Sequence, residues 1–452
     1  MSSEFSNAFE EMEWRRAVVH ATPGAQEVLA RDKVTCYNGF DPTAASLHTG
    51  NLVPVMGLVR MQRHGHTPIA IVGGGTGMIG DPSGRSEERP LLTVDEIDAH
   101  VAAIRRQLES FLDFSPSISN PAVVIDNAEW LRKVSLVDFL RDVGKHFSVN
   151  AMLGRESVRS RMERESGISF TEFSYQLLQA YDFLMLYKQR NCTFQMGGTD
   201  QWGNILGGVE LIRRIHGRDS SGAGGDTSRL EAADLPAHGL AYPLITTSTG
   251  AKFGKSIGGA PTLDPELTSP FKLYQFFFNT ADADAVPYLK LFTLLGMKEI
   301  GELEAAVEHS PRERQAQKVL AAEVTRMVHG QDGLDEALRI TRALFDNDLR
   351  ALTASELRGA LTEAGHSVVT EQDLSEGISL ASALSQHGSG LAQSTSEIRR
   401  LVSQHALRVN GRIEDDPLRK LGHEDFIDGQ VMVVQRGKKS HDLIWLGPKP
   451  LR

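Results

Sequence analysis

Between residues 34 and 215, short aliphatic and β-branched runs are each followed by a turn and then by a segment with helical spacing. The first run, "VTCYNGF" (34–40), breaks at Gly39, turns through Asp41-Pro42 and leads to "LVPVMGLVRMQRHG". Pro54 is tolerated only in a first helical turn, where a missing N–H costs nothing. The helix is therefore expected to start near Gly50-Asn51, with Asn51 as its N-cap. "PIAIV" (68–72) with its turn "GGGTGMIGDPSG", then "PAVVIDNAEWL" (121–131) and "CTFQMGGTDQWGNILGGVELIRRI" (192–215), repeat the pattern. Strands alternating with helices predict an α/β fold with a doubly wound parallel sheet, Rossmann-like in architecture.

The rest of the chain reads differently. "GRDSSGAGGDTSRLEAADLPAHG" (217–239) is polar and Gly/Ser-rich, and is expected to be a surface loop. After about 262 the apolar residues recur at helical spacing, as in "FKLYQFFFNT", "ADAVPYLKLFTLLG" and "RERQAQKVLAAEVTRMVHG". Periodicity weakens over 346–378. A last unit mixes a helix ("STSEIRRLVSQHA") with strand-like "LRVNGRI", "QVMVVQ" and "DLIWLG". Four segments are expected: a Rossmann-like α/β domain at 1–240, a helical domain at 241–348, a linker at 349–378 and a small α+β module at 379–452.

Several function classes are excluded by composition. With 452 residues, 40 % hydrophobic and 23 % charged, the chain is an ordinary globular sequence of two to four domains. Cys36 and Cys192 are too few for a disulfide framework and too far apart for a clustered metal site. The N-terminus has no apolar core of a secretory signal, and no run approaches 18 apolar residues. A cytoplasmic protein without membrane association is expected. The net charge of −10 repels nucleic acid on average, so any such partner must meet a local basic patch. Residues 391–452 carry 11 Lys and Arg against 8 Asp and Glu, a balance of +3.

Four stretches carry candidate chemistry. His48-Thr49-Gly50-Asn51 places an imidazole and an amide at a helix N-terminus, whose N–H groups suit phosphate; a solvated loop histidine is the plain alternative. "KFGKS" (252–256) spaces Lys252 and Lys255 around a glycine, as a loop closing on polyphosphate would, or as a solvated lysine loop. It lacks the Walker A frame. Gly75, Gly77 and Gly80 spell the dinucleotide fingerprint, but Pro82 would interrupt the helix that receives the pyrophosphate. In "TEFSYQLLQAYDFLMLYKQ" (171–189), Tyr175, Gln179 and Asp182 share one helix face. That face is either a solvent stripe or the wall of a small-ligand pocket.

Taken in order, "YNGFDPTAASLHTGN", "GGGTGMIGDPSG", "TEFSYQLLQAYDF", "QMGGTDQWGN" and "KFGKS" resemble the bacterial-type tyrosyl-tRNA synthetases, a class I aminoacyl-tRNA synthetase family. "DPELTSPFKLYQFFFNTADAD" extends the likeness, and "GLAQSTSEIRRLVSQHALRVNGRI" resembles an RNA-binding module first known in a small-subunit ribosomal protein. The resemblance implies activation of tyrosine by ATP, with accompanying Mg²⁺ and no protein-ligated metal, followed by transfer to tRNA(Tyr) by a homodimer. It maps the family's HIGH motif onto His48–Asn51, with Asn51 in place of a histidine, and KMSKS onto Lys252–Ser256. His48, Thr43, Asn51, Lys252 and Lys255 would stabilise the reacting phosphates, helped by Arg85 and Arg89. Tyr37 and Asp182 would bind the phenol. Asp81, Tyr175 and Gln179 would bind the ammonium, with Gln201 near the carboxylate and Gln195 in the same pocket. Gly39, Asp41, Gly50, Gly198 and Asp200 would join His48, Asn51 and the two lysines in binding ATP. Arg399, Arg400, Arg408 and Arg412 would contact tRNA. A tryptophanyl relative shares the His-x-Gly-Asn turn, and a non-catalytic RNA-binding protein could use the same scaffold. Tyr37 with Tyr175, Gln179 and Asp182 favours tyrosine over the first, and intact His48, Lys252, Lys255 and Asp182 argue against the second.

Overall fold

The computed structural model describes residues 4–83, 92–163, 167–221, 235–250, 253, 260–362, 364–386, 391, 394–416, 418–437 and 440–447. The chain forms two compact units, Met1–Thr268 with Phe276–Val328, and Ser269–Gln275 with His329–Arg452. This partition differs from the four expected segments, because much of the helical stretch after 262 packs with the first unit.

In the first unit the described strands are β1 (His20–Ala21), β2 (Thr35–Phe40), β3 (Thr67–Val72), β4 (Val123–Asp126), β5 (Cys192–Gly198) and β6 (His238–Tyr242). They form one sheet in the order β1-β6-β5-β2-β3-β4, parallel except for the short β1. Parallel neighbours require crossovers, and helices supply them. Leu52–Arg63 joins β2 to β3, Val94–Leu108 lies between β3 and β4, and Trp202–Ser221 joins β5 to β6. Pro54 sits in the first turn of its helix, as its missing N–H demands. The stretch after β3 holds a 3₁₀ turn at Thr76–Met78, not the helix of a dinucleotide fold. The helix after β5 continues to Ser221 and β6 starts at His238, so the surface loop expected at 217–239 is shorter; residues 222–234 lie outside the described residues.

The helix Phe170–Arg190 begins where Ser169 accepts a hydrogen bond from the Glu172 N–H and ends at Asn191, which adopts a left-handed φ of 51°. Its Phe183, Leu184 and Leu186 pack with Tyr37, Ile69 and Ile71 of the sheet. A buried charged cluster braces the same unit. Glu11 accepts from Arg15 at 2.7 Å and pairs with His64 at 2.8 Å, with Arg60 3.9 Å away. Arg15 donates to the Leu295 carbonyl at 2.9 Å, and Arg60 donates to that of Leu291 at 2.7 Å. The cluster thereby caps the end of the helix Asp282–Phe292, whose last carbonyls have no intrahelical donor.

The second unit holds β7 (Gly365–Val369), β8 (Leu407–Val409), β9 (Arg412–Ile413), β10 (Val431–Arg436) and β11 (Ser440–Leu446), in the order β7-β11-β10-β8-β9. β7 runs parallel to β11 and the other pairs are antiparallel. The expected linker at 349–378 is therefore corrected: it contains helix Ala354–Ala360 and the edge strand β7. A five-residue strand with half-buried alternation gives too short a pattern for periodicity to register. Among the described residues no helix is long and apolar enough to cross a membrane.

Candidate active site

From β2 the chain crosses to β3 on one side, and from β5 it crosses to β6 on the other. Two neighbouring parallel strands whose connections diverge leave a crevice at their carboxyl ends. A cavity of about 390 Å³ opens there. It gathers every described residue that the sequence assigned to tyrosine or ATP: Tyr37, Gly39, Asp41, Thr43, His48, Gly50, Asn51, Asp81, Tyr175, Gln179, Asp182, Gln195, Gly198, Asp200 and Gln201. The face of Tyr175, Gln179 and Asp182 is thus a pocket wall, with Tyr175 and Asp182 buried.

At the deep end, the Asp182 carboxylate accepts from Asn127 Nδ2 at 2.9 Å and from Trp130 Nε1 at 2.7 Å. Burial pushes its pKa up to about 8, against the pull of these two donors, with the charges of Asp41 and Asp126 adding to the rise. Tyr37 is 2 % exposed, and its hydroxyl has no partner among the described protein atoms. Burial, then the charge of Asp182, pushes the phenol well above its ordinary 10, so it stays a donor. Gln195 stands opposite Tyr37 across the β2–β5 pair, and its Oε1 likewise lacks a protein partner. Buried polar atoms without partners are costly, and a ligand bearing a hydroxyl would satisfy them.

Two hydrogen-bonded chains hold the remaining polar groups. Gln201 donates to Asp81 Oδ2 at 2.6 Å, while Asn204 donates to both Gln201 Oε1 and Gln179 Oε1 at 3.1 Å. Tyr175 Oη donates to Asp41 Oδ2 and Thr76 Oγ1 to Asp41 Oδ1, both at 3.2 Å. Asn127 Nδ2 also reaches Thr76 Oγ1 at 2.9 Å, which ties this chain to Asp182. Asp41, mapped to ATP by resemblance, is therefore shared with Tyr175. Asn127, Trp130, Thr76 and Asn204 were missed in the sequence. One signal was available: Asp126-Asn127 stand at the carboxyl end of β4, as Asp41 does just after β2 and Asp200 just after β5.

The His48 turn differs from its expectation. His48 Nδ1 accepts from the Gly50 N–H at 3.0 Å, and Asn51 Oδ1 accepts from the His48 N–H at 3.0 Å. Asn51 thus braces the turn and does not cap the following helix with its side chain. The Thr49 N–H donates to the Pro261 carbonyl at 2.9 Å and that of Asn51 to the His48 carbonyl at 2.8 Å. These amides are already bonded within the protein, so the expected phosphate site at free N–H groups is not formed by the backbone of this turn. Since Nδ1 accepts, a neutral His48 carries its proton on Nε2. Gly50 makes this possible, because a Cβ there would come within 2.8 Å of the imidazole.

Lys252, Lys255, Arg85 and Arg89 lie outside the described residues. Phe253, between the two lysines, lines the cavity and packs against Phe276, Tyr288 and Phe292 with centroids 5.2–5.4 Å apart. Beyond the lysines, Thr262 bridges to His48. Phe253 and the His48 turn, remote in sequence, thus border one cavity. In the second unit Arg399, Arg400 and Arg412 are exposed, whereas Arg408 is half-buried and donates to the Gly411 carbonyl at 3.0 Å.

Residues 29–346 match the family model of class I tRNA synthetases (W and Y), and residues 362–444 match that of the tyrosine–tRNA ligase SYY-like C-terminal domain. A tyrosine–tRNA ligase of Roseiflexus castenholzii is 47 % identical over 438 residues, 97 % of this chain and 99 % of that protein. The chain belongs to the tyrosyl-tRNA synthetase family. Among solved structures, a C-terminally truncated mitochondrial tyrosyl-tRNA synthetase of Aspergillus nidulans superposes with a TM-score of 0.66 at 33 % identity, covering 76 % of this chain and 95 % of its own. That of Coccidioides posadasii gives 0.63 at 31 %, over 74 % and 92 %. The tyrosyl-tRNA synthetase fold thus carries the Rossmann-like sheet described above.

Proposed function

We propose that this enzyme, a tyrosine–tRNA ligase with ATP as substrate, binds the tyrosine phenol between Tyr37 and Asp182. The ammonium then faces Asp81, Tyr175 and Gln179, and the carboxylate faces Gln201. ATP lies along Gly39, Asp41, Gly198 and Asp200 toward the His48 turn. The observation that carries this reading is the unpartnered Tyr37 hydroxyl close enough to the buried Asp182 carboxylate to feel its charge, a donor and an acceptor lining one cavity. A tyrosine carboxylate oxygen attacks the α-phosphorus, and the bond to pyrophosphate breaks. Charge building on the phosphates is met by donors from Thr43, His48, Asn51, Lys252 and Lys255, with Arg85 and Arg89 assisting. Mg²⁺ travels on the ATP phosphates, as is usual for this hard ion. A terminal ribose hydroxyl of tRNA(Tyr) then takes the tyrosyl group and releases AMP, while Arg399, Arg400, Arg408 and Arg412 hold the RNA backbone.

Two further parts of the reading have their own support. A homodimer is favoured by the apolar groove formed by Val149, Met162 and Phe170, the last 79 % exposed. A cytoplasmic setting is favoured by Cys36 and Cys192, both free thiols.

The test is pyrophosphate exchange into ATP with each of the twenty amino acids. Tyrosine alone should support it; exchange driven by tryptophan would overturn the assignment. Two variants probe the ATP side. A Cβ at Gly39 meets nothing closer than Ile71 at 3.9 Å, so the space above it is left to ligand. Gly39→Val is expected to raise the KM for ATP about tenfold at unchanged melting temperature, a steric loss of ~1.4 kcal/mol. Phe253→Ala is expected to slow single-turnover adenylate formation about tenfold while sparing the KM for tyrosine, since the ring, itself held by contacts of ~1 kcal/mol each, stands between the two lysines in the chain. An unchanged rate would show that the loop is positioned without it.

A further inference from the structure

Phe345 is 85 % exposed, more than any other large apolar residue among those described. It lies on the helical segment after Gly330, within the second unit. Arg342, one turn earlier, is exposed, and Leu338 completes the same face at 42 % exposure. The helix ends at Asn347 in a left-handed conformation, φ 57°.

That helix end is locked to the tip of the β8–β9 hairpin. The hairpin turns through Asn410-Gly411, both with positive φ, the expected chemistry of a two-residue turn. Asn410 is fixed from both sides: its Nδ2 donates to the Asp425 carbonyl at 2.7 Å, and its Oδ1 accepts from the Val433 N–H at 2.9 Å. A Cβ at Gly411 would come within 1.8 Å of the Asn347 carbonyl oxygen, so only glycine permits this approach. The close contact brings the helix end that bears Phe345 to the hairpin tip that bears the exposed Arg412.

An aromatic ring on a rigid corner, with Leu338 as its apolar neighbour on that face and Arg342 and Arg412 on the two joined elements, is a poor protein interface, which needs a broader apolar patch. It suits one flat apolar face of a base. Asp346 and Asp348, exposed beside the ring, would repel a run of phosphates there and leave stacking as the contact. We infer that Phe345, flanked by Arg342 and Arg412, is a stacking platform for one unpaired base of tRNA. The inference rests on the proposed tRNA role of this unit and adds the residue that takes a base, where Arg399, Arg400, Arg408 and Arg412 take phosphates.

The test uses the full chain and tRNA(Tyr). Phe345→Ala is expected to raise the KM for tRNA about tenfold, the usual cost of losing one stacked base. Tyrosine-dependent pyrophosphate exchange should not change, and Phe345→Trp should keep the parental KM. Arg412→Ala should lower the slope of log affinity against log salt by about one, whereas Phe345→Ala should leave it unchanged. A tRNA KM within twofold of the parent in Phe345→Ala would overturn the inference. So would a Phe345→Ala effect confined to the oligomeric state, which would assign the ring to a second copy of the chain. Failure of the underlying function looks different, because the unaltered protein would then not charge tRNA at all.

Discussion

Replacing Asp182 with alanine is expected to lower kcat/KM for tyrosine by about a hundredfold or more. On the proposed reading the variant removes the acceptor of the phenol proton; the phenol, as a third donor beside Asn127 and Trp130, lowers the raised carboxyl pKa, so the bond becomes charge-assisted at ~1.5–3 kcal/mol. It also leaves Asn127 Nδ2 and Trp130 Nε1 buried without their acceptor, at ~1–3 kcal/mol for each such group. The first loss falls on tyrosine alone, so the preference for tyrosine over phenylalanine should collapse with it. Phenylalanine offers nothing to Tyr37 and Asp182 in the parent and loses little in the variant. Exchange kinetics with both amino acids measure the ratio. Parental kinetics with tyrosine would mean that the phenol lies elsewhere.

Glu11→Ala is expected to destabilise the first unit by ~3–5 kcal/mol, since it strands two buried guanidinium groups. Arg15 and Arg60 are almost fully buried, and the carboxylate is their common anion. The urea midpoint at neutral pH measures the effect, and a loss below about 1 kcal/mol would contradict it. The same carboxylate predicts acid sensitivity. Burial raises its pKa, but the His64 hydrogen bond and the Arg15 and Arg60 charges outweigh burial and lower it from 4.5 to about 2. A carboxylate depressed on folding stabilises the protein above its unfolded value, and the contribution is lost as pH falls through the folded one. The parent should therefore lose stability between pH 4.5 and 2 more steeply than Glu11→Ala.

The pocket was legible to different depths. Asp182 and the His48 turn stand in local patterns, one helix face and a tight turn, so spacing alone marks them, whereas Tyr37 was marked only by the family resemblance. Asn127 precedes and Trp130 lies in a short helix after β4, and nothing within "VVIDNAEW" says that their donors reach a carboxylate on the helix Phe170–Arg190. Asn51 shows the opposite error. Its type and place fit an N-cap, but His48 folds back onto Gly50 and recruits it to brace the turn. The strand β7 was hidden in an expected linker because its pairing partner, β11, lies at the far end of the sequence.

What the sequence by itself determined was whatever chain-local chemistry controls: the alternation of strand and helix, the helix start imposed by Pro54, and the residue types at each strand end. Only the tertiary structure decided which of these ends share a crevice, that Phe253 is anchored by distant rings, that Glu11 serves two arginines, and that the Asn410-Gly411 hairpin meets the end of another helix. The physical reason is one of range. Backbone sterics and periodic burial act over a few residues, whereas hydrogen-bond partners and ring contacts are chosen by the order of strands in a sheet, which no short window of sequence contains.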